Sequence, residues 1–130
     1  MDRVLVDAPC SGSGSWRRKP DAKWRLTPES LTNRGDDQRA VLARAAPLVK
    51  PGGRLIYVTC SLLPEENTDQ IEAFLAANPD FSVLPYAEVW QQCLPGDPPV
   101  SADGSTSTLL LSPANHNVDG FFIAVMQRRG

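Results

Sequence analysis

The chain contains two short apolar runs, each of which leads to a cysteine, and these runs restrict the folds that it can adopt. RVLV at residues 3–6 is followed by Asp7 and Cys10, and RLIYVT at residues 54–59 is followed directly by Cys60. Short runs rich in β-branched residues are typical of buried strands. The sequence therefore predicts two inner strands, each with a thiol just beyond its carboxyl end.

The segments between and after these runs have helical spacing. Apolar residues recur at helical intervals over residues 36–49, downstream of a helix start at Thr27-Pro28-Glu29. Pro64-Glu65-Glu66 begins a second helix that ends at Asn78, and residues 81–84 form a third strand. Because strands alternate with helices, we predict an α/β fold with a parallel sheet and crossover helices.

Proline and glycine mark the ends of these elements. Pro47 should loosen the last turn of the first helix, which Pro51-Gly52-Gly53 then ends. Residues 94–107 are rich in proline, glycine and small polar residues and are predicted to form a long loop. Two further runs, 108–112 and 121–126, are strand-like.

Composition limits the class of protein. One hundred and thirty residues, 42% of them hydrophobic, suit one compact domain. The net charge of −2 excludes a globally basic nucleic-acid module, so any affinity for an anionic polymer must be local. A basic cluster interleaved with tryptophans supplies the candidate, although a charge run alone is more often a solvated loop: Trp16, Arg17, Arg18, Lys19, Lys23, Trp24 and Arg25.

The cysteine count indicates a reducing compartment. The three cysteines, at positions 10, 60 and 93, are odd in number and too widely spaced for a zinc motif. The sequence has no apolar stretch of membrane-spanning length and no signal-peptide pattern. We therefore expect a cytoplasmic protein with no bound metal and no membrane partner.

Chemistry is expected where the predicted strands end. Ligands of open α/β sheets bind outside the carboxyl ends of the strands, so neighbouring strands would bring Cys10 and Cys60 into one crevice. The alternative for any single cysteine is a small buried hydrophobic residue, but two cysteines placed in the same way weaken that alternative. Cys93 has no such placement and is assigned to packing or chance.

The Cys60 thiol lies just before a helix start, which favours the thiolate. Glu65 and Glu66 oppose this effect, so a basic neighbour such as Lys23 would be needed. A Cys–His hydrolase remains an alternative, but His116, the only histidine, is better explained as a turn residue. Gly12-Ser13-Gly14 lacks the third glycine and the following helix of a dinucleotide loop, and is interpreted as space for backbone approach.

Four motifs in one order resemble a known family. VDAPCSGSG, RRKPDAKW, VTCSLLPEEN and DGFFIA are together similar to the carboxy-terminal half of the catalytic domain of RNA 5-methylcytosine methyltransferases of the Sun/RsmB (Fmu) type, which modify ribosomal RNA. The resemblance covers nearly the whole chain and is weakest over residues 85–112. DAPCSGSG and TCSLLPEEN are specific as a pair, whereas DGFFIA alone is not.

The resemblance implies S-adenosylmethionine-dependent methyl transfer to carbon 5 of cytosine in RNA. In that family the cysteine of the TCS motif is the nucleophile, which corresponds to Cys60. The cysteine of the APC motif, here Cys10, assists release of the covalent RNA adduct, and Asp7 lies near the cofactor and the target base. The substrate-binding assignment covers Pro9 of the APC motif and three basic residues, Arg17, Arg18 and Lys23; Trp16 and Trp24 could stack on bases or pack in the core.

The chain also departs from the family pattern. The family's glycine-rich cofactor loop and the acidic residue after its second strand precede DAPC, and the usual amino-terminal RNA-binding region also lies upstream. We therefore expect residues 1–130 to be the carboxy-terminal part of the catalytic domain, a partial Rossmann-like methyltransferase fold without its first three strands and without a second domain. Such a fragment should be inactive alone, and its apolar edge at residues 3–6 should favour self-association. The alternative is a non-catalytic RNA- or protein-binding remnant of the fold.

Overall fold

The fold was analysed in a computed structural model that describes residues 2–8, 10, 28–93, 96–103, 105, 107–111 and 120–129. These residues form five strands and three α-helices: β1 (Arg3–Asp7), α1 (Pro28–Ala45), β2 (Arg54–Thr59), α2 (Thr68–Ala77), β3 (Phe81–Leu84), α3 (Tyr86–Cys93), β4 (Leu109–Leu111) and β5 (Phe121–Arg128). Short 3₁₀ turns at Ala46–Leu48 and Pro64–Glu66 follow α1 and precede α2.

The strands form one sheet in the order β1-β2-β5-β3, with β4 pairing β5 beyond the end of β3. β1 and β2 are parallel neighbours, whereas β5 is antiparallel to β2, β3 and β4. The α/β prediction is confirmed, and β1, β2 and β3 run in the same direction. The sheet is mixed rather than wholly parallel, because β5 lies between β2 and β3.

One face of the sheet is buried under α1 and α2. Alternate residues of β2 point to this face, and Leu55 and Tyr57 are fully buried opposite Met126 and Ala124 of β5. The ring of Tyr57 packs edge-on against that of Phe122, with centroids 6.3 Å apart. The helices contribute further buried apolar side chains to the core: Leu42, Ala45, Ala46 and Val49 from α1 and its extension, and Ile71 and Phe74 from α2.

The connection between α1 and β2 follows from its prolines and glycines. The α-helix ends at Ala45 and tightens into the 3₁₀ turn that contains Pro47, as predicted. Gly53 then donates its N–H to the carbonyl of Lys50 at 2.8 Å, closing a turn with proline second and glycine third. Gly52 has a φ of 81°, which that turn requires and which glycine adopts without strain.

The first helix begins at Pro28, as the predicted start at Thr27-Pro28-Glu29 requires, although the cap residue Thr27 itself lies outside the described residues. Two other features differ from the sequence-based expectations. α3 was not predicted, because an eight-residue helix directly after a proline has too few turns for a clear periodic signal. β5 extends to Arg128, two residues beyond the predicted end. Its polar last residues are extended because they pair with β3, and not because of an intrinsic preference for strand structure.

Candidate active site

The pairing of β1 with β2 brings the two predicted thiols together. Asp7 lies opposite Val58 in the parallel register, and Ala8 extends the pairing by donating its N–H to the Val58 carbonyl at 2.9 Å. Beyond this point the Sγ atoms of Cys10 and Cys60 are 3.3 Å apart, and both residues are partly exposed. The expected convergence of the thiols at one crevice is confirmed, while their chemical roles stay predictions.

The short sulfur–sulfur distance lets the two thiols interact directly. Either thiol can donate its S–H to the other sulfur. The pair can therefore offer a nucleophile and a hydrogen-bond donor to the same reacting group.

A buried polar network supports the backbone on both sides of Cys60. Before it, the Thr59 hydroxyl donates to Asn67 Oδ1 at 2.6 Å. After it, the Ser61 hydroxyl donates to Glu66 Oε1 at 2.6 Å, and Asn67 Nδ2 donates to the Ser61 carbonyl at 2.8 Å. Thr59, Ser61, Glu66 and Asn67 are all buried, so the network fixes the turn that presents the cysteine.

The network extends to the helical layer and to the strand beneath the thiols. Glu66 Oε2 accepts a hydrogen bond from Gln38 Nε2 of α1 at 3.0 Å, and Gln38 is also fully buried. The Tyr57 hydroxyl donates to the Glu66 carbonyl at 2.7 Å. Burial, the negative charge of Glu66 and the proximity of Cys10, in that order, raise the pKa of Tyr57 well above its usual value, so its hydroxyl remains a hydrogen-bond donor.

Local sequence explains how this turn forms. Leu63 is extended, and the fixed φ of Pro64 starts the 3₁₀ turn that directs Glu66 back towards Ser61. The Ser61 hydroxyl also accepts the N–H of Leu63 at 3.1 Å, a side-chain bond that favours a turn over strand continuation. The PEEN segment thus folds over the end of β2.

Asp7 lies at the same edge of the sheet but on its other face. It is the last residue of β1 and is exposed, while the preceding Val6 is buried in the core. Successive side chains of a strand point to opposite faces, so the Asp7 carboxylate faces away from the helical layer. It is free of the core packing and accessible to a ligand on the open side.

Several predicted site residues lie outside the described residues. These are the substrate-binding candidates Pro9, Arg17, Arg18 and Lys23, the stacking candidates Trp16 and Trp24, the glycines of Gly12-Ser13-Gly14, and His116. Their roles stay predictions. Cys93, assigned to packing or chance, is exposed at the end of α3, which excludes the packing alternative.

The described part of the chain shows neither a metal-binding cluster nor a membrane-spanning helix. Within those ranges, no three His, Cys, Asp or Glu residues are grouped so that they could hold a metal ion. None of the helices found there has both the length and the apolar character needed to cross a membrane.

The network around Glu66 was not predicted from the sequence. There, Glu65 and Glu66 were part of a helix start and were charges that oppose thiolate formation, whereas in the structure Glu66 is fully buried and hydrogen-bonded and Glu65 is exposed. The available signal was the polar run Glu65-Glu66-Asn67 directly after a buried strand. Gln38 could not have been found from sequence, because it contacts Glu66 across 28 positions of the chain.

The fold matches that of known methyltransferases. A crystal structure of a methyltransferase homologue from Pyrococcus horikoshii superposes with a TM-score of 0.71 and 30% identity, covering 98% of this chain and 39% of that one. This places the chain in the α/β methyltransferase class and confirms the predicted fold class.

Sequence comparison gives the family. The 16S rRNA methyltransferase RsmB/F family matches residues 1–127, and the chain belongs to that family. It is 42% identical over 129 residues to a probable ribosomal RNA small subunit methyltransferase B of Synechocystis sp., and 40% identical over 130 residues to its counterpart in Bacillus subtilis. These alignments cover 98% and 100% of the chain but only 27% and 28% of the relatives, so the chain spans about a quarter of their length.

The thiol geometry makes a direct prediction for mild oxidation. With oxidised glutathione, Cys10 and Cys60 should form an internal disulfide, since attack by one thiolate gives a mixed disulfide that the other thiol resolves, releasing two reduced glutathiones in total. Intact-mass measurement should show the loss of two hydrogen atoms, and peptide mapping should assign the bond to these residues. Cys93→Ser should leave it unchanged and Cys60→Ser should abolish it. A bond involving Cys93 instead would contradict the site geometry.

Proposed function

We propose that this chain is the thiol-bearing part of an S-adenosylmethionine-dependent RNA cytosine-5-methyltransferase that acts on ribosomal RNA through a covalent cysteine adduct. The observation that supports the proposal is the 3.3 Å approach of Cys10 and Cys60 beyond adjacent parallel strands. Family membership supports methyl transfer to RNA. In this proposal residues 1–130 are the carboxy-terminal part of the catalytic domain, and the protein works in the cytoplasm, where thiols stay reduced.

The chemistry requires a nucleophile because carbon 5 of cytosine is itself a poor one. The Cys60 thiolate adds to carbon 6, and the electron pair displaced from the ring double bond gives carbon 5 enamine character. Once carbon 5 carries the methyl group, a base removes its proton, the carbon–hydrogen electron pair restores the ring double bond, and the Cys60 sulfur leaves as a thiolate. Cys10 is proposed to assist this last step by donating its S–H proton to the departing sulfur.

S-adenosylmethionine supplies the electrophilic methyl group of its sulfonium when bound. Among the described residues, Asp7 fits a role in holding it, because an exposed carboxylate at the end of β1 can accept hydrogen bonds from amino or hydroxyl groups. The remaining contacts are assigned to the part of the family's domain that precedes this segment in the longer relatives.

RNA contacts are assigned to one residue inside the first cysteine motif and to basic residues that follow it. We propose that Arg17, Arg18 and Lys23 bind phosphates and that Pro9 shapes the entry for the target base. The base must be unstacked or single-stranded before its carbon 6 can reach a thiol in a crevice.

A mechanism-based RNA tests the thiol roles. In a full-length family enzyme that includes this chain, RNA with 5-fluorocytosine at the target should form a trapped covalent complex, because fluorine cannot leave as the proton does. The complex should be lost in Cys60→Ala and kept in Cys10→Ala, as read by denaturing gel electrophoresis. A complex that persists in Cys60→Ala would overturn the assignment, and its absence in all forms would favour the non-catalytic remnant.

Cofactor affinity tests whether the 130-residue chain is sufficient by itself. We expect isothermal titration calorimetry of the isolated chain with S-adenosylmethionine to show no binding at micromolar concentrations, and a methylation assay to show no turnover. The physical reason is that Asp7, the cofactor contact assigned among the described residues, supplies too few interactions to offset the loss of the cofactor's freedom. Micromolar affinity of the isolated chain would contradict this expectation.

We further propose that isolated chains self-associate through β1. This strand lies at the end of the sheet order, and its Leu5 side chain is 68% exposed. Leu5→Lys should weaken association by at least about tenfold, since burial of one leucine contributes roughly 1.5–3 kcal/mol. Analytical ultracentrifugation over a concentration series measures this, with Val100→Lys, at another exposed apolar site outside the strands, as the matched control. Equal association of both variants would contradict the proposal.

A further inference from the structure

The Glu66 carboxylate links two separate parts of the structure near the thiols. It is fully buried, and its two oxygens accept hydrogen bonds from the Ser61 hydroxyl at 2.6 Å and the Gln38 amide at 3.0 Å. A buried polar group is costly unless it is hydrogen-bonded, so these bonds strongly favour one orientation of the side chain.

The two bonds of Glu66 connect the cysteine turn to a rigid helix. Gln38 lies in the middle of α1, whereas Ser61 is the residue directly after Cys60. The Ser61 hydroxyl receives the Leu63 N–H while it donates to Glu66, so it is held from two sides. The carboxylate thereby sets the position of the peptide that bears the Cys60 side chain.

The same residue is also tied to the strand beneath the thiols. Tyr57 of β2 donates to the Glu66 carbonyl, and Asn67, the next residue, binds both Thr59 and Ser61. Cys60 is thus enclosed by hydrogen-bonded neighbours on each side. A displacement of the turn by about 1 Å would disrupt the contact between the two sulfur atoms, which are only 3.3 Å apart.

We propose that Glu66 is a positioning residue, which holds the Cys60 sulfur against Cys10 through Ser61 and α1. It acts through the turn and does not touch the reacting atoms. The inference rests on the proposed roles of the two thiols and adds the residues that align them. Its test needs neither RNA nor cofactor, so failure of the methyl-transfer proposal and failure of this one are distinguishable.

The experiment measures how fast Cys10 and Cys60 form a disulfide with oxidised glutathione, in the full 130-residue chain with Cys93→Ser. Glu66→Ala should slow closure of the bond by about tenfold, because a lost hydrogen bond to a charged group releases the turn. Glu66→Gln should stay near the parent rate. The oxygen of the new side-chain amide still accepts the Ser61 hydroxyl, and a flipped Gln38 amide would accept a hydrogen bond from the nitrogen of the new amide. Glu65→Ala, which changes the exposed neighbour, is the matched control and should have no effect.

Melting temperatures separate positioning from stability, and rates are compared well below every melting transition. A folded Glu66→Ala variant that closes the disulfide at the parent rate would overturn the proposal. Equal slowing in Glu66→Gln would overturn its hydrogen-bonding basis. If Glu66→Ala does not fold, Ser61→Ala decides, because it removes only one hydroxyl: slowed closure supports positioning, and the parent rate rejects it.

Discussion

The parallel pairing of β1 with β2 is the contact on which the site depends. Its register places Asp7 beside Val58, and the added bond from Ala8 to Val58 carries the pairing past the end of the strand. Cys10 and Cys60 come within 3.3 Å because both chains leave the sheet at one edge. A shift of β1 by one residue would turn Val6 from the core to the open face and move the thiols apart. The burial of Val6 therefore also protects the register of the site.

The apolar core and the polar network are formed by consecutive inward-facing residues of β2. Along β2, Leu55 and Tyr57 pack under the helices, and Thr59, two residues further on and equally buried, already belongs to the polar network. Tyr57 belongs to both the core and the network, because its ring packs against Phe122 while its hydroxyl donates a hydrogen bond to the Glu66 carbonyl. Packing energy from the core thus stabilises the geometry of the thiol crevice.

A feature of this structure could be predicted from the sequence when the residues that determine it are close together in the chain. The bounds of β2 and β3 were predicted correctly, because β-branched or aromatic runs flanked by turn residues determine them within a few positions. The insertion of β5 between these strands was not predictable, since antiparallel pairing across more than forty residues leaves no local pattern. The thiols were placed correctly because strand order and strand direction suffice for that. The Gln38–Glu66 contact is different in kind, because it depends on the packing of a helix against a turn.

The two thiols are held in different ways, and this difference agrees with the roles proposed for them. Cys60 follows β2, which has paired strands on both sides and a hydrogen-bonded turn at its end. Cys10 follows β1, whose pairing with β2 is carried past Asp7 by the backbone bond from Ala8 to Val58. A group that forms a covalent bond to a base needs a fixed approach, because small errors in the attacking geometry slow the reaction. The hydrogen-bonded turn after β2 is a suitable support for the nucleophile role proposed for Cys60.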